Sequence, residues 1–273
     1  MLKKRLIFTL LYSNGSFMLS RNFRLQAVGN LAWLQRNYDF SQISYSIDEL
    51  VVLDVTREKR NLDKFCEVLK SLTINNFVPI TAGGGVWDVD SAQKLLRSGA
   101  DKILINSSLF IERYLAKELS EEYGQQCVVA SIDVKRSKVG ELQVLSHNGS
   151  KLHESPAREL IDSVLTMEVG EIYLNSVDRD GTGQGLDFEI LELLPARVSK
   201  PIILAGGAGN SNHLLLGFKD SRVDAVATAN LFNFVGDGLK KARHELVLGG
   251  IRLPMWDLGF RNSDVTSLPQ NLG

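Results

Sequence analysis

Asp133 closes the apolar run CVVASIDV at residues 127–134, and Asp54 and Asn175 close two others, ELVVLDV and EIYLNSV. A carboxylate presented at the end of a buried strand can serve as a general acid or base. For Asp54 a loop-capping role is the alternative. A second signal lies in two glycine turns, Thr81-Ala82-Gly83-Gly84-Gly85-Val86 and Leu204-Ala205-Gly206-Gly207-Ala208-Gly209. Such turns expose backbone N–H groups and let a phosphate come close, and Asp88 reads as the cap of a helix whose amino end favours an anion. Asn106-Ser107 and Ala229-Asn230 end the strands that follow and complete a cradle beside Gly84-Gly85 and another beside Gly206-Gly207. Two cradles on opposite sides of one opening suit a small molecule phosphorylated at both ends. The loop DRDGTGQG, residues 178–185, lacks the glycine spacing of a dinucleotide fingerprint and reads as a polar loop adding Asp180 and Gly181 to the second cradle.

Other chemistries find little support. The four histidines, His147, His153, His213 and His244, show no metal-ligand spacing, so no metal site and no cofactor are expected. There is no nucleophile elbow and no Walker loop, and Cys66 and Cys127 sit far apart in apolar runs that read as core.

The elements that must carry these residues are eight strands: 6–11, 49–55, 77–82, 102–107, 128–134, 171–177, 201–206 and 225–230. Their hydrophobicity is continuous, as in parallel strands covered on both faces. Helical stripes lie between them: Leu62, Phe65, Cys66, Leu69 and Leu72; Ala92, Leu95 and Leu96; and a third, capped at Ser155 with Pro156 in its first turn, through Leu160, Ile161, Val164 and Leu165. Eight strands alternating with helices in 273 residues predict a (β/α)8 barrel. In such barrels active sites sit at the carboxyl ends of the strands, where both glycine turns and Asp133 fall.

The barrel is also written twice. Gly83 and Gly206 stand 123 residues apart, as do Asp101 and Asp224, while Leu109-Phe110 pairs with Leu231-Phe232, and Leu11 with Asp133, at 122. This predicts half-barrels of about 1–122 and 123–250, closing one domain over 1–250, with a polar extension at 251–273. The chain carries 31 basic and 32 acidic residues, a net charge of -1, which gives no field for nucleic acid or an anionic membrane. Two unpaired cysteines and the lack of a spanning or signal segment make a cytoplasmic setting the expectation.

Together the doubled half-barrel, GGGVWD, GADKILINSS, SIDVKR, SVDRDGTGQG and LAGGAG resemble the cyclase subunit of imidazole glycerol phosphate synthase over about residues 3–250. The resemblance implies a glutaminase subunit docked on the amino-terminal face as a heterodimer, with ammonia passing through the barrel. It places the channel gate at Arg5, Glu49, Lys102 and Glu171, and a glutaminase contact at Asp101. The family sets one catalytic aspartate at the end of the first strand and another at the end of the fifth. Here those positions are Leu11 and Asp133. Leu19 stands where the family uses a lysine, and Asn175 and Ala205 replace hydroxyl residues.

Three readings follow. In the first, the chain conducts ammonia to a third, sugar-modifying protein of a surface-polysaccharide system that makes an acetamidino group. In the second, it is the histidine-pathway cyclase, working with Asp133 alone. In the third, it is a noncatalytic scaffold that activates a partner glutaminase.

Overall fold

The computed structural model describes residues 3–74, 76–112, 114–230 and 236–254. Leu231-Phe232 and residues 255–273 of the predicted extension lie outside these. Twelve strands are described: β1 (Arg5–Ser13), β2 (Ser16–Arg21), β3 (Arg24–Gly29), β4 (Glu49–Asp54), β5 (Ile80–Gly83), β6 (Lys102–Ile105), β7 (Val128–Arg136), β8 (Leu142–Ser146), β9 (Lys151–Leu152), β10 (Glu171–Ser176), β11 (Ile202–Ala205) and β12 (Ala225–Thr228). Eight of them pair in parallel, in the order β1, β4, β5, β6, β7, β10, β11, β12, and β12 returns to β1. The sheet is thus a closed barrel, as predicted, and every predicted strand overlaps one of these eight.

The helices are α1 (Leu31–Asn37), α2 (Phe40–Ile43), α3 (Leu62–Thr73), α4 (Val89–Arg97), α5 (Leu115–Tyr123), α6 (Ala157–Thr166), α7 (Ser211–Lys219) and α8 (Gly238–Leu248). The stripe of α3 buries Phe65, Cys66, Leu69 and Leu72, and Asn61 caps it by accepting from the Lys64 N–H at 3.0 Å. Asp88 caps α4 through the Ser91 N–H at 2.7 Å. One boundary differs from expectation. Pro156 is extended (φ -52°, ψ 136°) and stands at the N-cap of α6, so the helix starts at Ala157 without a side-chain cap.

Alternation along each strand divides the core in two. Outward residues such as Leu6, Phe8, Leu10, Leu50, Val52 and Ile172 pack under the helices. Inward residues Ile7, Val51, Leu104, Val129, Tyr173, Ile203, Ala205, Ala225 and Ala227 fill the lumen.

At three strand starts an aspartate clamps its neighbour. Asp48 accepts from the Leu6 N–H at 2.7 Å, Asp101 from the Ile80 N–H at 2.8 Å and Asp224 from the Ile202 N–H at 3.0 Å. The Asp101 and Asp224 clamps make the same contact at positions 123 residues apart. A carboxylate acceptor there satisfies a backbone amide at or next to the start of a buried strand.

Two hairpins, β2–β3 and β8–β9, rise from the ends of β1 and β7. Asn14 and Gly15 turn β1 into β2 with positive φ (47° and 89°), the conformation that favours an Asn-Gly pair. Asn22 and Phe23 turn the tip of β2–β3, again with positive φ (50° and 63°). That tip crosses the mouth. The Asn22 side chain donates to the Val177 and Asp178 carbonyls at 3.1 and 2.7 Å, and Asp180 accepts from the Phe23 N–H at 3.0 Å and from the Ser20 hydroxyl. Gly181 lies so close beneath that a Cβ would meet the Ser20 carbonyl oxygen at 1.7 Å. Gly181→Ala is therefore expected to cost about 1–3 kcal/mol in urea unfolding and to speed tryptic cleavage at Arg21 and Arg24. Unchanged stability and cleavage would show that the hairpin is not seated on this glycine.

Candidate functional site

The inward side chains form three levels from the amino ends of the strands to the carboxyl ends. At the first, Arg5, Glu49, Lys102 and Glu171 meet in one ring. The Arg5 guanidinium donates to Glu49 at 2.8 Å and to Glu171 at 3.2 Å, and Lys102 Nζ reaches Glu49 at 3.0 Å and Glu171 at 3.2 Å. Each cation thus touches both anions. Thr81 adds a hydroxyl donor to Glu49, whose side chain is only 2% exposed. Burial opposes the charge on Arg5, but Glu171 and Glu49 more than offset it and hold the guanidinium above its ordinary pKa. Charges this buried persist because they cancel in a closed set.

The second level is largely apolar and carries a hydroxyl pair, Thr9 and Tyr173, 3.2 Å apart across the lumen, with Ser131 in register beside Tyr173. The third is a cavity of about 790 Å³ at the mouth. Asp133 lies in it, 8% exposed, accepting from the Asn175 amide at 2.9 Å and the Asn106 amide at 3.1 Å. Burial pushes its carboxyl up to about 6; the two amide donors oppose that rise, and the nearby Asp180 charge adds to it. Leu11 and Leu19 also line this cavity. The counterpart of Asp133 on the first strand is therefore apolar, and it faces the same space.

The glycine turns and their neighbours line the cavity as the sequence suggests: Gly84, Gly85, Asn106, Ser107, Gly181, Gly206, Gly207, Ala229 and Asn230. Gly84 and Gly206 have positive φ (103° and 93°), and a Cβ on either would strike a backbone carbonyl, that of Asp54 at 2.1 Å or of Ser176 at 2.5 Å. Three side chains are engaged elsewhere. Asn106 is spent on Asp133 and the Ser131 carbonyl, and the Ser107 hydroxyl accepts from the His147 N–H at 2.8 Å. Asp180 also lines the cavity. Its carboxylate is committed to the hairpin and its N–H donates to the Ser176 carbonyl at 3.0 Å, so it anchors the roof and has no donor to offer a phosphate. Asp54 takes the capping role, accepting from the Thr56 N–H at 2.9 Å.

A family model described as "Histidine biosynthesis protein" matches residues 32–236. A protein described as "Putative imidazole glycerol phosphate synthase subunit hisF2", from Parasynechococcus marenigrum (strain WH8102), is 48% identical over 245 residues, covering 90% of this chain and 91% of that protein. The chain belongs to the histidine biosynthesis protein family. Within that family barrel, several cavity residues were not singled out by the sequence. Arg21 and Arg24 on the hairpin and Arg57 and Arg60 after β4 all line the mouth, and Arg60 packs on Gly85. The run Arg57-Glu58-Lys59-Arg60, directly behind a strand end, is the one signal that could have pointed to them. Trp87 and His147 also line the mouth, their rings 5.7 Å apart. Among the described residues no cluster of three metal-ligating side chains occurs, and no helix is long and apolar enough to cross a membrane.

The raised Asp133 carboxyl has a measurable consequence. The folded chain binds its proton more tightly than the unfolded chain, so stability falls as pH rises from about 4 to about 6 and is flat, for this group, above that. Carboxyl-carbon NMR should show one buried aspartate titrating near 6 that disappears in Asp133→Asn. An Asp133 signal titrating at the ordinary aspartate value of about 4 would contradict the buried setting.

Proposed function

We propose that this chain is the cyclase-like, ammonia-conducting subunit of a glutamine-dependent amidotransferase. A glutaminase subunit docks on the face that bears Arg5, Glu49, Lys102, Glu171 and the exposed Asp101, forming a heterodimer. Ammonia enters through the ring, crosses the apolar lumen and leaves at the mouth. A third protein takes it there to amidate a sugar, making an acetamidino group for surface polysaccharide or lipopolysaccharide. The observation that carries this reading is a contrast along one strand. Arg5, at the start of β1, keeps every contact of the ring, while Leu11, near its end, lines the mouth where the family has a carboxylate.

Magnitudes favour delivery over cyclisation. A positioned acid or base contributes roughly 10²–10⁴-fold to rate, about 3–5 kcal/mol, and the Leu11 side chain cannot supply it. Asp133, poised near neutrality, stays available to exchange a proton with ammonia or ammonium at the exit. Gly84, Gly85, Gly181, Gly206, Gly207, Ala229 and Asn230 supply the cradles for an anionic small molecule, with no metal or cofactor. The cluster of Arg21, Arg24, Arg57 and Arg60 at the rim supports such an anion, because their charges exceed those of the carboxylates left open there.

The second reading, the histidine-pathway cyclase, draws on the description of the relative from Parasynechococcus marenigrum. Purified chain assayed with ammonium salts and the family's bis-phosphorylated aminoimidazole-carboxamide ribonucleotide separates the two. Turnover at least about 10²-fold below that of an enzyme with both aspartates is expected, rising in Leu11→Asp. Turnover within about tenfold of such an enzyme would overturn the delivery reading and establish the cyclase.

A further inference from the structure

Tyr173 and Thr9 come from strands that do not touch. β1 pairs with β12 and β4, and β10 pairs with β7 and β11, so the 3.2 Å contact between the two hydroxyls spans the lumen. Both residues are buried, at 5% and 2% exposure, and both line the floor of the mouth cavity. Above them the cavity is walled by Leu11, Leu53, Asp133 and Asn175. Ile7, Val51, Val129, Ile203 and Ala225 are inward-facing and buried but reach no part of it. On β10 the inward sequence is Glu171, Tyr173, Asn175: a ring member, the phenol and a partner of Asp133. The phenol therefore lies on the axis between the charged ring and the cavity.

We propose that Tyr173, latched to Thr9, is the barrier that divides the lumen, and that a small neutral amine crosses it by displacing the bond between the two hydroxyls. In naming the amine as ammonia the inference rests on the delivery reading above; the barrier itself does not. The chemistry fits a neutral solute. Ammonia accepts a hydrogen bond from the phenol and donates one to the threonine hydroxyl, so the pair exchanges one bond for two during passage. An ammonium ion would have to shed its water into apolar surroundings, at far greater cost. Burial holds the phenol well above its ordinary pKa, so it remains a neutral donor throughout the physiological range. No bond is made or broken covalently.

Two residues of β4 bracket the barrier. Leu53 lines the cavity and Val51, two positions earlier on the same inward face, does not. The test places a single cysteine at either position, Leu53→Cys or Val51→Cys, in chains whose Cys66 and Cys127 are alanine, and follows labelling by methyl methanethiosulfonate, a small uncharged reagent. Labelling at 53 should exceed that at 51 by about 100-fold or more, since position 51 is reached only when the packed lumen opens. Tyr173→Ala, or Tyr173→Leu should the alanine variant fold poorly by circular dichroism, should speed labelling at 51 at least about tenfold by removing the ring. Tyr173→Phe and Thr9→Val keep the plug but release the latch, and should speed it about 2–10-fold, the factor one net hydrogen bond is worth. Equal labelling at 51 and 53 with Tyr173 present, or labelling at 51 that ignores Tyr173→Leu, would overturn the barrier. Because labelling needs no glutaminase, failure of a glutaminase to bind would remove the delivery reading and leave this result standing.

Discussion

Everything at this site depends on the closure of eight parallel strands into a barrel, which forces every second side chain into one lumen. Successive inward residues on a strand lie about 6.6 Å apart, so three or four of them reach from one end of the lumen to the other. On β10 these are Glu171, Tyr173 and Asn175; on β1 Arg5, Ile7, Thr9 and Leu11 make the same descent. A slip of one residue in either strand would turn the whole set outward and put Ile172 or Leu6 in its place. The aspartate clamps at the starts of β4, β6 and β12 work against such a slip, because each fixes an amide at or next to the start of a neighbouring strand.

Electrostatics differ at the two ends for a physical reason. At the ring, two cations and two anions with little exposure form a closed set, and removing one member leaves an uncompensated charge in a buried place. At the mouth the carboxylates Asp54, Asp133 and Asp180 are each buried at 8% exposure or less, whereas Arg21, Arg24 and Arg57 stand out toward solvent. A chain with a net charge of -1 thereby presents a locally positive rim, which composition alone does not reveal.

The barrel was legible in the sequence because parallel strands covered on both faces leave continuous apolar runs, and because the glycine turns repeat at a fixed interval. Gly84 and Gly206 stood out for the same reason that they are required: only glycine lets the turn lie against the Asp54 and Ser176 backbones. The hairpins β2–β3 and β8–β9 were not legible. Each is only partly covered, and at the β2–β3 tip Phe23 bends with positive φ against its own preference, held by its distant partner Asp180. For the same reason Asp180 read as a cradle residue; its role is set by Ser20 and Phe23, about 160 positions away in the chain. The contact between Thr9 and Tyr173 was hidden for another reason, since a tyrosine inside an apolar strand shows its partner only when the barrel closes.

On the delivery reading proposed above, the ring at the entrance works although Leu11 stands at the exit where the family has a carboxylate. The most direct measurement is the glutaminase that copurifies with the untagged chain from its own cell, assayed alone and with the chain added back. A one-to-one complex is expected, with glutamine hydrolysis stimulated by the chain and the stimulation lost in Lys102→Ala, which opens the ring. Recovery of the chain without a glutaminase, together with hydrolysis indifferent to its addition, would contradict ammonia delivery.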